Sequence, residues 1–263
     1  MTDRVSVEIS GGVADVRLSR PEKLNALDPA MFAALAAAGE RLKAEPGLRA
    51  AVLSGEGKAF CAGLDTGGLE QTLAEGRRLL DAARTAGGAN PLQQAAMVWR
   101  EVPVPVIAAV HGAAFGGGLQ VALGCDLRFV APDAKLSVME IKWGLTPDMG
   151  GIALLRGLVR DDIARELIWS GRVVSGEEAL GLGLATRLCA DPRSEALAYA
   201  RELAAKNPQA IRAGKRLVNH ASDADLANIL LEESREQGDL LGSRNQIEAV
   251  MANLETRPPS FSD

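Results

Sequence analysis

The chain has 263 residues, of which 47% are hydrophobic and 24% are charged, and its formal net charge at pH 7 is −5. A hydrophobic share of this size in a chain of this length can form a full core, which argues against a disordered protein and a coiled coil. The acidic balance argues against a general nucleic-acid surface, because phosphate binding needs clustered Lys and Arg.

The amino-terminal segment, the longest apolar stretch and the cysteines indicate the cellular compartment of the protein. The segment "MTDRVSVEIS" alternates apolar and polar residues and lacks the apolar core of a secretory signal. The longest apolar stretch, about residues 102–124, is interrupted by prolines and glycines, which suits a buried strand and turn better than a membrane span. The cysteines lie far apart without CxxC spacing, so neither a disulfide framework nor a zinc site is expected. A reducing cytoplasm is the predicted setting.

The chain begins with a strand pattern followed by a helix. Two alternating runs, "VSVEIS" and "ADVRLS", flank Gly11 and Gly12 and predict a β-hairpin. Asp28 before Pro29 is a typical N-cap followed by a first-turn proline, and it predicts a helix that reaches about Ala44.

Two further predicted strands each run into a turn that contains glycine. "LRAAVLS" is followed by "GEGKAFCAGLDTGG", and "VPVIAAV" is followed by "HGAAFGGGLQVALGCD". Between these segments, residues 69–86 read as an exposed amphipathic helix. "DLRFVA" and "KLSV" predict two more short strands. Alternation of this kind favours a layered α/β domain.

From about residue 150 the strand patterns fade and helix-starting signals take over. Asp161 is read as an N-cap, Ser175 opens a capping box, and prolines after Asp191 and Asn207 open two more helices. The absence of a low-complexity linker or repeat favours one domain over residues 1–263, with a core in 1–200 and a helical region in 201–263.

The helical region carries apolar residues that could cover a neighbouring subunit. They are Leu226, Ile229, Leu230, Leu240 and Leu241.

Several enzyme classes are excluded by missing motifs. The sequence has no Walker A, no G-x-S-x-G and no H-E-x-x-H, and "GLGLAT" lacks the last glycine of a dinucleotide fingerprint. A Ser-His or Cys-His mechanism would have to use His111 or His220. A histidine held at a strand end is the simpler interpretation of His111.

The two glycine turns suggest a shared role. A turn that follows a strand can point backbone N–H groups at one place, and a helix that starts near Gly117 adds the positive end of its dipole. Two N–H groups aimed at one oxygen form an oxyanion hole, which stabilises an enolate or a tetrahedral oxyanion. A tight turn or close helix packing is the alternative explanation for glycines at these positions.

Four ordered motifs carry a resemblance to a known family. "RPEKLNAL", "GKAFCAGLD", "VHGAAFGGGLQVALGCDLRFVA" and "EIKWGLTPDMGG" resemble the crotonase family, also called the enoyl-CoA hydratase/isomerase family. The match in order and spacing extends over essentially the whole chain. The resemblance implies an α/β spiral of strand-strand-helix units, a helical C-terminal trimerisation region, and a homotrimer or a hexamer of two trimers.

The resemblance also implies which residues bind an acyl-CoA substrate. The oxyanion-hole N–H groups fall on Leu64 and Gly117. Positions that line the CoA moiety in the family correspond to Lys23, Ala26, Ala62, Gly63 and Asp65. Lys23 on its own would read as a solvated surface lysine.

The acid/base positions depart from the two-glutamate pattern of the family's hydratases. The second glutamate is present as Glu140, for which a salt bridge to a nearby cation is the simpler alternative. The first is replaced by Gln120, which can hold a water or a substrate oxygen but cannot accept a proton at neutral pH. Asp148 stands where other members of the family carry a catalytic aspartate, and an N-cap is an equal alternative for it.

These residues predict an acyl-CoA enzyme of the hydratase/isomerase type. The thioester oxygen would lie between two N–H groups while Glu140 moves a proton, with Asp148 and Gln120 assisting and with no metal or redox cofactor. One acid/base glutamate favours isomerisation over hydration. The alternatives are hydrolysis or displacement with Asp148 as nucleophile, and a catalytically weak acyl-CoA-binding protein.

Overall fold

Two β-sheets form the framework of the computed structural model, which describes residues 4–68 and 76–263. The strands are β1 Val5–Ser10, β2 Val13–Leu18, β3 Ala50–Gly55, β4 Val106–Val110, β5 Ala113–Phe115, β6 Leu127–Val130, β7 Lys135–Ser137, β8 Val174–Ser175 and β9 Arg187–Leu188. The six-stranded sheet has the order β1-β2-β3-β4-β6-β9 and the three-stranded sheet the order β5-β7-β8. Apart from the antiparallel pairs β1–β2 and β7–β8, neighbouring strands are parallel.

The predicted hairpin is confirmed. β1 pairs with β2 in antiparallel register from Val5 opposite Leu18 to Ser10 opposite Val13. Gly11 and Gly12 form the turn with φ values of +58° and +77°, and a two-residue hairpin turn favours glycine because both residues need positive φ.

Helices lie on both faces of the larger sheet. The helices of the described residues that are labelled here are α1 Pro29–Lys43, α2 Pro91–Glu101, α3 Gly117–Gly124, α4 Gly151–Leu155, α5 Asp161–Ser170, α6 Gly176–Leu182, α7 Pro192–Ala204, α8 Pro208–Ala221, α9 Leu226–Leu240 and α10 Arg244–Leu254. Strands β3 and β4 are buried along their whole length, as continuous apolar runs predict for strands covered on both sides. Alanines of α7 pack on one face, and α1 and α2 belong to the larger cluster on the other.

Helix starts agree with the sequence at several caps and differ at one. The side chains of Asp28, Ser175, Asp191 and Asn207 each accept a backbone hydrogen bond at the start of a helix. Asp161 is not a cap. It is the first residue of α5, and the cap position before it is held by Arg160, whose side chain accepts no hydrogen bond from the helix. The predicted helix start is therefore one residue off. Asp161 still suits the first turn, because an acidic side chain there interacts favourably with the helix dipole.

The helix expected over 69–86 is only partly within the described residues. Residues 69–75 lie outside them, and residues 76–80 are helical. The helix ends at 80, earlier than expected, and a turn follows in which Gly88 has a φ of +83° and donates to the carbonyl of Thr85.

The C-terminal helical region packs partly on its own core. The side chain of Lys215 in α8 is only 8% exposed, and its Nζ lies 2.7 Å from Oδ2 of Asp126 and 2.9 Å from the carbonyl of Val104. A buried cation with several acceptors fixes α8 against the sheet.

Later in the helical region, Leu226, Leu230 and Leu241 are more than half exposed. The subunit contact that the sequence suggests for these residues stays a prediction.

Across the part of the chain described, no helix combines the length and the apolar composition needed to cross a membrane.

Candidate active site

The two glycine turns run side by side. A parallel bridge joins Cys61 to Ala114, with the Cys61 N–H donating to the carbonyl of Ala113 at 2.9 Å and the Phe115 N–H donating to the carbonyl of Cys61 at 3.1 Å. Leu64 and Gly117 are each three positions beyond the bridge, so the parallel register brings them to the same level. This register explains why one residue from each turn reaches the same place.

Leu64 and Gly117 both line one cavity of about 770 Å³. In residues 4–68 and 76–263, the N–H of neither residue donates a hydrogen bond to the protein. The neighbours of Leu64 are used: the Leu27 N–H donates to the carbonyl of Gly63 at 2.7 Å, and the Asp65 N–H donates to the carbonyl of Leu27 at 2.9 Å. A Cβ on Gly63 would lie 3.8 Å from the nitrogen of Gly117. Two donors without a partner among the described residues therefore belong to one cavity wall, and their role as an oxyanion hole stays a prediction.

Each glycine of the triplet answers a different requirement. Gly116 has a φ of +49°, a backbone angle that residues with a side chain rarely adopt. A Cβ on Gly117 would lie 2.8 Å from Cδ1 of Leu27, and one on Gly118 would lie 2.3 Å from the carbonyl oxygen of Cys61. The triplet thus combines a turn with positive φ, close packing against a side chain and a close approach of two backbones.

Glu140 reaches the same cavity from the start of the short helical turn Glu140–Trp143. Its Oε1 accepts a hydrogen bond from Nε2 of Gln120 at 2.7 Å. Its Oε2 is buried and has no partner among the described residues, and the salt bridge considered from the sequence does not form within them. Burial, with a smaller contribution from the negative charge of Asp148, raises the pKa of Glu140 above its usual 4.5. Of the two carboxyl oxygens, Oε2 is therefore the one that no described group holds by a hydrogen bond.

Both polar atoms of the Gln120 carboxamide bond to the protein, and its oxygen is fully used. The residue is 2% exposed, and its Oε1 accepts the N–H groups of Met149 and Gly151, each at 2.9 Å. An amide oxygen has two lone pairs, so no acceptor on this side chain remains for a water or a substrate. Gly151 is the first residue of α4, so Gln120 links Glu140 to the start of that helix.

Asp148 lines the cavity and does not cap a helix. Gly150 holds the cap position of α4 and makes no side-chain cap bond, so the N-cap alternative for Asp148 is wrong. The residue is exposed to solvent, yet the atoms that surround its carboxyl exclude part of the water and so raise its pKa. An aspartate with no capping partner is available for interactions inside the cavity.

The residues that the resemblance links to CoA all line this cavity. They are Lys23, Ala26, Ala62, Gly63 and Asp65. Asp65 differs from the others because both of its oxygens are engaged: Oδ1 accepts the Gly67 N–H at 2.9 Å, and Oδ2 pairs with Arg20 at 2.7 Å. The Gly67 N–H and Arg20 together lower the pKa of Asp65. This carboxylate holds the turn together.

Other residues of the cavity wall did not follow from the sequence. They include Phe32, Arg77, Leu79, Leu80, Leu92, Met139 and Trp143. Helical periodicity could place the leucines on an apolar face, but that pattern does not distinguish a core from a cavity wall.

The remaining candidates lie apart from the cavity wall. His111 is not a wall residue, and its Nε2 is 3.0 Å from the carbonyl of Gly57, in agreement with a histidine held at a strand end. Cys61 is buried, which raises the pKa of its thiol to about 12. Among the residues with described positions, no three His, Cys, Asp or Glu side chains gather as metal ligands would.

Comparison with known proteins identifies the family. The family model "Enoyl-CoA hydratase/isomerase" matches residues 8–263. The chain is 32% identical to (E)-benzylidenesuccinyl-CoA hydratase of Thauera aromatica, with 98% of each chain covered. It is 29% identical to the mitochondrial methylglutaconyl-CoA hydratase of Mus musculus, with 97% of this chain and 81% of the relative covered.

Solved structures agree in fold. An enoyl-CoA hydratase from Bacillus anthracis superposes with a TM-score of 0.89 at 28% identity, with 98% of both chains covered. An enoyl-CoA hydratase from Polaromonas sp. JS666 superposes with a TM-score of 0.88 at 32% identity, with 98% of this chain and 99% of that chain covered. The predicted crotonase α/β fold is thereby confirmed. The chain belongs to the enoyl-CoA hydratase/isomerase family and is an acyl-CoA enzyme of that family.

Proposed function

We propose that this protein moves a double bond within the acyl chain of an enoyl-CoA thioester. The observation that carries the proposal is the hydrogen bonding of Gln120, whose Oε1 accepts from Met149 and Gly151 while its Nε2 donates to Glu140. One acid/base carboxylate beside two unused N–H groups can shuttle a proton between two carbons. Hydration is usually served by a second base that holds the water, and Gln120 has no acceptor left for that role.

The proposed reaction needs two proton transfers and no net loss of atoms. Oε2 of Glu140 removes a proton from the carbon next to the double bond, and the electron pair moves through the conjugated system onto the thioester oxygen. The N–H groups of Leu64 and Gly117 stabilise the resulting enolate oxygen, and each such donor typically contributes about 10²- to 10³-fold in rate. Protonated Glu140 then returns the proton to the other end of the system. Neither a metal nor a redox cofactor takes part in these steps.

The CoA portion would follow the wall formed by Lys23, Ala26 and Ala62. The ammonium of Lys23 suits a phosphate, while the alanines leave room for the pantetheine chain. This assignment is supported by the shared cavity and by the family resemblance.

A second candidate is displacement or hydrolysis by Asp148. It is favoured by one observation: Asp148 opens onto the cavity and does not cap α4. As a nucleophile its carboxylate would attack the thioester carbonyl carbon and expel the CoA thiolate, which leaves an acyl-aspartyl anhydride. Water would then cleave the anhydride, release the free acid and restore the carboxylate.

The test is a panel of enoyl-CoA thioesters followed by mass spectrometry and absorbance. We expect products of unchanged mass with an altered spectrum. A gain of one water would identify a hydratase, as would fit the names of the relatives, and release of free CoA would identify a hydrolase. Binding without any conversion would favour an acyl-CoA-binding protein and would overturn the proposal.

The substitution Asp148→Asn separates the two candidates. We expect the isomerisation kcat/KM to fall by less than about 10-fold, whereas loss of a nucleophile typically costs about 10³-fold or more. Because the charge of Asp148 raises the pKa of Glu140, the variant should lower that pKa and move the acidic limb of the kcat/KM profile to lower pH. Loss of nearly all activity, with the protein still folded, would favour the Asp148 mechanism.

The substitution Gln120→Glu tests the link to Glu140. A second carboxylate at 2.7 Å from Oε1 of Glu140 would oppose ionisation of the pair. We therefore expect the acidic limb of kcat/KM to move to higher pH and the rate at pH 6 to fall by about 10-fold, as measured across a pH series. Gln120→Leu is the control, since it removes the hydrogen bonds without adding charge. An unchanged limb in the glutamate variant would contradict the link.

A further inference from the structure

The guanidinium of Arg20 is buried next to the first oxyanion turn and contacts two chain segments at once. Nη2 lies 2.7 Å from Oδ2 of Asp65, and Nη1 donates to the carbonyl of Ala26 at 3.1 Å. Nη1 is also 3.5 Å from Oδ2 of Asp28, the cap of α1. One cation thus holds the segment that precedes Leu27 and the segment that follows Leu64.

Those two segments meet in a short parallel bridge between Leu27 and Leu64. The Leu27 N–H donates to the carbonyl of Gly63, and the Asp65 N–H donates to the carbonyl of Leu27. The carbonyl of Gly63 and the N–H of Leu64 belong to the same trans peptide, so they point in opposite directions. Fixing that carbonyl toward Leu27 therefore aims the Leu64 N–H away from the bridge and into the cavity.

The Gly63–Leu64 peptide needs this support because glycine places few restrictions on its own backbone angles. Gly63 has a φ of +86°, and a Cβ on it would lie 2.6 Å from the carbonyl oxygen of Phe115, so a stiffer residue does not fit there. Glycine restricts the peptide plane less than any other residue. The direction of the Leu64 N–H is then set by contacts outside the turn.

We propose that Arg20 and Asp65 form a positioning pair for the oxyanion hole. The pair clamps both strands of the Leu27–Leu64 bridge and so fixes the direction of the Leu64 N–H. Asp65 acts through the peptide it holds and does not contact the thioester oxygen. The inference rests on the proposed function, because it assigns a purpose to the N–H group that the reaction uses.

The test follows polarisation of a bound thioester. An aryl-enoyl-CoA such as cinnamoyl-CoA absorbs at longer wavelength when hydrogen bonds draw charge onto its carbonyl oxygen. In Asp65→Ala we expect at least half of the red shift to be lost, with kcat for isomerisation reduced by about 10- to 100-fold and KM changed by less than about 3-fold. Asp65→Asn keeps the size and the acceptor but removes the charge, so its values should lie between wild type and alanine.

A matched control separates positioning from general stability. Asp15 pairs with Arg193, its side chain is 13% exposed against 18% for Asp65, and it does not line the cavity. Asp15→Ala should lower the melting temperature while leaving the red shift and kcat unchanged. If Asp65→Ala does not fold, the asparagine variant provides the same readouts.

The outcomes separate failure of the positioning role from failure of the proposed oxyanion hole. A full red shift and an unchanged kcat in a folded Asp65 variant would overturn the positioning role alone. A wild-type protein that binds cinnamoyl-CoA without any red shift would overturn the oxyanion hole, and the positioning role with it. If Asp15→Ala lost as much red shift and kcat as Asp65→Ala, the effect would be one of general stability, and the inference would also be overturned.

Discussion

Glu140→Gln should reduce kcat for isomerisation by about 10³-fold, within the range usual for loss of a general acid/base. Glutamine matches the shape of glutamate but cannot accept the proton that Oε2 would carry. Affinity for the CoA ester should change by less than about 3-fold, because the N–H groups of Leu64 and Gly117 hold the thioester. Stopped-flow absorbance and equilibrium binding measure the two quantities separately. A variant with wild-type turnover would rule out Glu140 as the acid/base.

The pH dependence of the same variant provides an independent check. Burial disfavours the charged form of Glu140, so the carboxyl keeps its proton to a pH above its usual 4.5. The wild-type kcat/KM should fall as the pH drops through this raised pKa, and the limb should disappear in the glutamine variant. The folded state is penalised when Glu140 ionises, so the variant should gain stability relative to wild type above the raised pKa and match it at low pH.

Gly117→Pro should reduce kcat/KM by about 10²- to 10³-fold relative to Gly117→Ala, as expected for loss of one oxyanion donor. Both variants add a Cβ, which would lie 2.8 Å from Cδ1 of Leu27, so crowding is common to the pair. Only proline also removes the N–H. Gly117 is the first residue of α3, a helix position where proline is tolerated.

The comparison requires that both variants fold. Circular dichroism and melting curves check this, and the red shift of bound cinnamoyl-CoA reports the remaining donor. Equal activity of the proline and alanine variants would show that the Gly117 N–H does not stabilise the transition state.

Local signals in the sequence predicted the features that local contacts decide. The hairpin follows from Gly11 and Gly12, and the start of α1 follows from Asp28 and Pro29. The pairing of Leu64 with Gly117 came from the family resemblance, and the parallel bridge now provides its geometric reason.

Features that depend on distant partners could not be predicted. The hydrogen bonds of Gln120 go to backbone groups of residues about thirty positions away, which no local pattern specifies. The aspartate before the "MGG" segment looked equally suited to cap a helix, and only the chain path shows that Gly150 takes that place. The ion pair of Asp65 was hidden for the same reason, because its partner lies before the first helix.

The anchoring of Gln120 has a consequence for how such a site can change. The same carboxamide holds the acid/base and the segment from Met149 to Gly151, while the cavity wall just before that segment includes Leu145 and Thr146. A substitution that reshapes this wall to admit a different acyl chain would pull on the anchor and reorient Glu140. If the proposed reaction holds, we therefore expect substrate range and turnover to change together, so that variants selected for a new chain need a second, compensating change at or near position 120 before they regain speed.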